Sequence, residues 1–213
     1  MNTSDNGIFA LALHEGLVPA PYLDSVNVMT YGVGHTAAAG SPDPASLPKG
    51  NPPDLDAAVR AALVVFKRDL GTYEAAVAQA LRVPVEQHEF DALVSFHFNT
   101  GGIGRASLTR LLNSGDKAGA ADGFMGWRRP ASIIPRRESE QRLFRDGIYP
   151  SGRVPIYAVT ASNRPGQIVQ RLSQSEFLAL LPGPGLRPQP RPTGNFWEDV
   201  AGLFRAIIRG KSQ

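Results

Sequence analysis

The sequence predicts an α+β fold that is mostly helical, with a small β-hairpin lobe followed by a larger helical lobe. Residues 22–33 carry β-branched and aromatic side chains around a polar turn, whereas residues 55–146 repeat apolar side chains at helical spacing. The 213 residues are 42% apolar and 19% charged. This composition is typical of a folded globular protein, and the length is enough for one core and an appendage.

The first predicted element is a helix over Asp5–Glu15, with Asp5 as its cap. Ile8, Leu11 and Glu15 recur at helical spacing. The pattern therefore places a carboxylate at the end of an apolar stripe.

A short hairpin is predicted over Tyr22–Val33. Asn27 is the favoured turn residue, because asparagine tolerates the left-handed backbone conformation. Gly32 and Gly34 interrupt the second strand. Glycine in a strand often marks a bulge or a place where another backbone or a ligand comes close.

The chain from residue 38 to 54 is rich in Pro, Gly and Ser and is predicted as a surface loop. Five helical patterns follow the loop: Leu55–Val83, Glu86–Phe98, Ser107–Leu112, Ala118–Trp127 and Arg136–Asp146. The second of these is apolar almost all round, which is typical of a helix buried at the centre of a bundle.

Beyond a main domain at residues 1–149, the composition divides the chain into three parts. An extension at 150–181 contains a predicted strand (154–159) and a predicted short helix (173–181), neither of which the sequence places in the fold. A Pro/Gly-rich linker is predicted at 182–194. An amphipathic basic helix is predicted at 195–213.

The positive charge of the chain is concentrated in this last segment, because residues 183–213 contain five basic and two acidic residues. Turning residues 196–209 by about 100° per residue gathers the apolar side chains on one face. At about 1.5 Å per residue the segment is too short to cross a bilayer. We expect it either to lie on an anionic membrane or wall polymer, or to dock on the main domain or a second copy of the chain.

Composition also excludes or disfavours several kinds of protein. The chain has no cysteine, so disulfides, thiolate catalysis and cysteine-ligated metals are excluded. Residues 1–10 show neither a basic region nor a long apolar run, which predicts synthesis in the cytoplasm and release by a route other than a signal peptide. Nucleic-acid binding is disfavoured, because residues 1–182 have no net charge.

Glu15 and Asp24 are the candidate catalytic carboxyls. Cleavage of a glycosidic bond needs one group that protonates the leaving oxygen and a second that activates water or attacks the anomeric carbon. The end of an apolar helix face offers Glu15 the surroundings that keep an acid protonated. Asp24 lies beside Ser25, in the polar setting that keeps a carboxylate ionised.

These carboxyls belong to a longer motif. The string Glu-Gly-Leu-(x)6-Asp-(x)5-Thr-Tyr-Gly-Val-Gly-His runs from Glu15 to His35 and resembles the phage-type lysozymes, glycoside hydrolase family 24. The segment Asp91-Ala-Leu-Val-Ser-Phe-His-Phe-Asn99 is similar to the central buried helix of that family, and the resemblance covers about residues 7–147. The sequence departs from the family at the loop 38–53, at the turn 26–27 and after about residue 149.

The resemblance implies a lysozyme-like catalytic domain over residues 1–149, with the active-site cleft between its two lobes. It implies hydrolysis, with inversion, of the β-1,4 bond between N-acetylmuramic acid and N-acetylglucosamine in bacterial peptidoglycan. In this scheme Glu15 is the general acid, and Asp24 and Thr30 position the attacking water. No metal or cofactor is implied.

The resemblance also indicates substrate-binding residues. His35 is a candidate cleft residue, and Arg137 matches the position where the family places a cation near the catalytic glutamate. Asn99 is expected either to face the cleft or to cap the end of its helix.

Two alternatives remain open at this point. A lytic transglycosylase would cleave the same bond with a single glutamate, and the presence of Asp24 and Thr30 at the family spacing argues against it. A non-catalytic cell-wall-binding module would be expected to lose Glu15, Asp24 or Thr30, whereas this sequence has all three.

Overall fold

The computed structural model describes residues 1–183, so the predicted helix at 196–209 and nearly all of the predicted linker lie outside the described residues. The described chain divides into two units. We call residues 1–14 and 69–153 the helical unit, and residues 15–68 and 154–183 the sheet unit. The α-helices of the described residues are α1 Asp5–Glu15, α2 Leu55–Ala80, α3 Gln87–Thr100, α4 Ser107–Asn113, α5 Lys117–Gly123, α6 Ile134–Asp146 and α7 Gln174–Leu180.

The helical unit is built around α3, as the sequence predicts. Residues 89–96 of this helix are all buried. The Phe96 ring lies edge-on to Phe124 and Trp127, at centroid distances of 5.5 and 5.3 Å. Such aromatic pairs add about 0.5–1.5 kcal/mol each beyond the area they bury. A left-handed Gly101 ends the helix, and its N–H bonds to the carbonyl of His97.

Helix α1 has the predicted bounds, but Ser4 caps it rather than Asp5. The Ser4 hydroxyl accepts the N–H of Gly7 at 3.0 Å and donates to the buried carboxylate of Asp91. Asp91 also accepts the backbone N–H of Ser4 at 3.0 Å and the hydroxyl of Tyr149 at 2.7 Å. The start of α1 is thus fixed to α3, and Asp5 is the first helical residue.

The sheet unit contains the predicted hairpin as part of a three-stranded antiparallel sheet. Its strands are β1 Val18–Leu23, β2 Met29–Gly32 and β3 His35–Thr36, in that order. Asn27 has φ 65°, which confirms the predicted turn residue. Gly32 has φ 62°, and a Cβ there would lie 3.2 Å from the Cβ of Ala62 on α2. The close approach indicated by this glycine is therefore confirmed.

A second antiparallel pair lies in the extension. Strand β4 is Val154–Val159, as predicted, and β5 is Pro165–Leu172. Leu17, just before β1, joins β4 through backbone hydrogen bonds to Pro155 (3.0 Å) and from Tyr157 (2.9 Å). The β4–β5 hairpin therefore packs within the sheet unit, which places the extension that the sequence left unplaced.

The loop at 38–54 is largely exposed but is tied down at several points. It contains two short 3-10 helices, Ala37–Ala39 and Pro44–Ser46. The side-chain amide of Asn51 exchanges two hydrogen bonds with the backbone of Val159, at 2.7 and 3.0 Å. The loop is thus part of the sheet unit's structure. Among residues 1–183, no helix has both the length and the apolar content that a membrane span requires.

Candidate active site

Asp24 organises the turn between β1 and β2. Its Oδ1 accepts the backbone N–H groups of Val26 at 2.9 Å and Val28 at 2.8 Å, and its own N–H donates to the carbonyl of Val28 at 3.0 Å. The side chain is half-buried. In the described part of the chain, Oδ2 takes part in no hydrogen bond. One carboxylate oxygen therefore holds the turn, and the other is open to a ligand.

Thr30 lies on β2 directly opposite Tyr22 of β1. Its side chain is buried, and its hydroxyl donates to the carbonyl of Val28 at 3.1 Å. Because the proton is used in this bond, the oxygen can only accept a further hydrogen bond. The same backbone segment thus orients both the Asp24 carboxylate and the Thr30 hydroxyl.

Glu15 is the last residue of α1, and its side chain is exposed. The sequence predicts apolar surroundings for Glu15, but the buried stripe of α1 ends at Ala12. Gly16 follows with φ 70°, and a Cβ there would meet the Tyr157 ring at 2.6 Å. The chain therefore turns sharply after Glu15 towards β1, and only glycine fits the turn without strain.

Tyr22 is affected by the charges of both carboxyls and is not among the site residues that the sequence predicts. Burial, followed by the charges of Asp24 and Glu15, raises the pKa of the Tyr22 phenol to about 12. The two carboxylates thus contribute to the electrostatic environment of the same phenol. An aromatic residue in a strand is read from sequence as packing, so no pattern distinguished it.

His35 is buried within the sheet unit. The side chain is 2% exposed, and its Nε2 bonds to the carbonyl of Pro42 at 2.7 Å. Arg68 lies on its other ring nitrogen at 3.5 Å and also donates to the carbonyl of Ser41. Nε2 thus binds the 38–54 loop and Nδ1 lies against Arg68 of α2, so the ring anchors the loop, and the substrate contact at His35 stays a prediction.

Asn99 and Arg137 are brought together in the helical unit. The Nη2 of Arg137 donates to the Oδ1 of Asn99 at 2.9 Å, and its Nη1 pairs with Glu140 at 3.0 Å. Arg137 has no exposed surface and binds Asn99 and Glu140, and the substrate contact predicted for it stays a prediction. Asn99 is exposed, and Gly101 rather than Asn99 caps α3. Arg137 is thus a support for Asn99.

His14 lies against the same arginines. Burial, followed by the charges of Arg136 and Arg137, lowers the pKa of His14 to about 4 from its ordinary 6.5. The imidazole is therefore neutral in the folded protein at neutral pH. In the described residues, no cluster of His, Asp or Glu has the arrangement of a metal site.

We predict that His14 makes the protein less stable as the pH falls from about 6.5 to 4. In this window the unfolded chain binds a proton at His14 that the folded chain does not, so the free energy of unfolding falls by up to about 3 kcal/mol. His14→Gln should flatten this slope, as measured by urea unfolding at several pH values. An unchanged slope in the variant would contradict the prediction.

The sequence and the fold of this chain are similar to those of several known proteins. The family model described as phage lysozyme matches residues 12–140. The endolysin of Salmonella phage P22 is 36% identical over 150 residues, covering 68% of this chain and 98% of that protein. The solved endolysin from Escherichia coli O157:H7 phage FAHEc1 is 27% identical, with a TM-score of 0.61, over 70% of this chain and 97% of that one.

A further solved structure, the muramidase domain of SpmX from Asticaccaulis excentricus, is 26% identical with a TM-score of 0.56, over 68% of this chain and 97% of that one. The fold is that of these lysozymes, mostly helical with small antiparallel sheets. The family match spans more than half of the sequence and includes Glu15, Asp24 and Thr30. The chain therefore belongs to the phage lysozyme family.

Proposed function

We propose that this protein hydrolyses the β-1,4 bond between N-acetylmuramic acid and N-acetylglucosamine in bacterial peptidoglycan. One observation carries the assignment. The carbonyl of Val28 accepts both the backbone N–H of Asp24 and the hydroxyl of Thr30, so one turn orients the Asp24 carboxylate and the Thr30 oxygen, in the family whose match also includes Glu15. Glycoside hydrolysis uses two carboxyls, one as the acid and one to activate water. The family and its muramidase and endolysin relatives support peptidoglycan as the substrate and the cell wall as the place of action.

Glu15 is the proton donor in this proposal. Its exposed position at the end of α1 leaves it accessible to a saccharide. A bound sugar chain displaces water from the carboxyl, which disfavours the charged form and favours the acid. Glu15 then gives its proton to the glycosidic oxygen as the bond from that oxygen to C1 of the muramic acid breaks.

Asp24 and Thr30 hold the water that replaces the leaving oxygen. The free Oδ2 of Asp24 takes the proton of the water as its oxygen bonds to C1, while the Thr30 oxygen accepts the second hydrogen. The water attacks from the side opposite to the leaving group, so the configuration at C1 inverts. Asp24 ends protonated and Glu15 ionised, and solvent restores both.

Asn99 stays a proposed substrate-binding residue. Its Oδ1 is occupied by Arg137, so the side-chain amide is held in one orientation and its N–H groups are directed away from the arginine. Such an amide can donate to a sugar hydroxyl or an N-acetyl carbonyl. The buried ion pair between Arg137 and Glu140 keeps the supporting guanidinium in place.

The products of the reaction test the function. We expect purified peptidoglycan digested with the protein to yield fragments that end in reducing N-acetylmuramic acid, identified by mass spectrometry. Fragments ending in 1,6-anhydro-muramic acid would instead show a lytic transglycosylase. Intact peptidoglycan after digestion, with the protein still bound to it, would show the binding module.

The predicted amphipathic helix at 196–209 is proposed to hold the enzyme on anionic membranes or wall polymers. We expect a chain truncated after Gly183 to keep full activity on purified peptidoglycan and to lose binding to vesicles rich in anionic lipid, because the basic apolar segment is gone. The truncation keeps Pro182, whose carbonyl accepts a hydrogen bond from Lys67 at 3.2 Å. Loss of activity on purified wall, or unchanged vesicle binding, would contradict the proposal.

A further inference from the structure

We propose that the β4–β5 hairpin is a positioning element for Asp24, and that Arg164 at its tip is the positioning residue. The inference rests on the proposed function, in which Asp24 holds the attacking water. The hairpin lies beyond residue 140, where the family match ends. The family model therefore does not cover the hairpin.

Arg164 donates hydrogen bonds to two residues of the turn that carries Asp24. One guanidinium nitrogen donates to the backbone carbonyl of Asp24, and the other donates to the Oδ1 of Asn27. A third contact runs between the backbones, because the N–H of Leu23 donates to the carbonyl of Asn163 at 2.6 Å. The tip of the hairpin and the turn that carries Asp24 are thus joined by three hydrogen bonds.

The turn needs an external support because it is otherwise exposed. The side chains of Val26 and Val28 are 72% and 43% exposed, so apolar packing does little to hold them. The remaining hydrogen bonds of the turn are internal, from Val26 and Val28 to Asp24 itself. Internal bonds fix the shape of the turn but not its position relative to the rest of the sheet unit.

Arginine suits this role better than lysine. Its planar guanidinium presents two donors in a fixed geometry, so it can bind a carbonyl and a side-chain amide at once. Lysine offers a single charged centre on a flexible stem. We therefore expect Arg164→Lys to keep part of the support and Arg164→Ala to lose it.

The hairpin itself is firmly held, as a support must be. Val159 at the end of β4 exchanges two hydrogen bonds with Asn51, and it packs with Val18 and Ala20 of β1. At the other end of the extension, the carbonyl of Ala179 accepts a hydrogen bond from Arg60 at 2.9 Å. The tip that carries Arg164 is therefore fixed to the same strand that leads into Asp24.

The test compares Arg164→Ala and Arg164→Lys with Arg171→Ala, a control on the exposed face of β5. On soluble peptidoglycan fragments we expect kcat to fall about 10-fold or more in Arg164→Ala with KM little changed, because a misplaced catalytic group costs turnover. Arg164→Lys should recover part of kcat, and Arg171→Ala should match the wild type. Wild-type kcat in Arg164→Ala, in an enzyme whose activity depends on Glu15, would overturn the positioning role.

A second readout does not depend on activity. The amides of Val26 and Val28 bond to Asp24, so their hydrogen exchange, measured by NMR, reports the order of the turn. We expect faster exchange in Arg164→Ala than in Arg171→Ala. If the wild type lacks Glu15-dependent activity, the proposed function fails, and the exchange rates alone then test whether Arg164 supports the Asp24 turn. Unchanged exchange in Arg164→Ala would overturn this support.

Asn27→Gly is a second test of the same contact, for use if Arg164→Ala fails to fold. Glycine retains the positive φ of the turn and removes the side chain whose Oδ1 accepts from Arg164. We expect a smaller fall in kcat than in Arg164→Ala, with the thermal midpoint little changed. In the double variant the two losses should not add, because both act on one contact. Full additivity, or no loss in Asn27→Gly, would contradict the proposal.

Discussion

Glu15→Gln is expected to lower the rate of peptidoglycan hydrolysis by about 10²–10⁴-fold, the range typical of a lost general acid. The amide keeps the size and shape of the side chain but has no proton to give to the leaving oxygen. Because Glu15 is exposed at the end of α1, its replacement should change the free energy of unfolding by about 0.5 kcal/mol or less. The rate of reducing-end release and a urea unfolding curve measure the two effects separately.

Glu138→Gln is the matched control for this experiment. Glu138 is also an exposed glutamate on a helix, and the proposed mechanism gives it no role. It should retain wild-type activity and stability. Near-wild-type hydrolysis by Glu15→Gln would remove Glu15 from the mechanism, and an equal loss in both variants would show that the effect is not specific to the site.

Asp24→Asn is expected to lower hydrolysis by about 10²-fold or more, because an amide cannot take the proton of the attacking water. The substitution separates the proposed proton uptake by Asp24 from its role in holding the turn. An asparagine keeps an Oδ1 that can accept the N–H groups of Val26 and Val28, so the turn should persist. Asp24→Ala removes both functions, so it should also speed hydrogen exchange at these two amides.

Asp43→Asn is the control for a carboxylate that caps a turn. Asp43 lies in the same unit, and its Oδ1 accepts the N–H of Ala45 at 3.0 Å, so its local role resembles that of Asp24. It should keep wild-type activity. Retained hydrolysis in Asp24→Asn would leave Asp24 as a structural residue of the turn and would contradict the proposed role in holding water.

The elements that the sequence predicts well are those with strong local signals. Helix α1 and strand β4 have the predicted bounds, and the left-handed turn lies at Asn27 as expected. In each case the pattern of apolar side chains or the turn residue is decided within a few positions of the chain. The buried helix α3 follows for the same reason, since apolar residues on all its faces have no other stable environment.

The elements that the sequence misses depend on contacts between distant residues. Strand β5 is mostly exposed, and its apolar side chains do not alternate with polar ones, so the sequence shows no pattern by which a strand is predicted. Its position follows from pairing with β4, and the role of Arg164 follows from a contact with a turn 140 positions earlier. The burial of His35 and Arg137 likewise arises from partners that no local pattern reveals.

The central claim is that Glu15 gives a proton to the leaving sugar while Asp24 holds water on the opposite side. The configuration of the first product tests this claim most directly. NMR spectra of a soluble peptidoglycan oligosaccharide, recorded within minutes of adding the enzyme, should show the α-anomer of the new reducing end before it equilibrates. A β-anomer would show retention through a covalent intermediate, and an anhydro-sugar would show cyclisation without water; either result would contradict the mechanism.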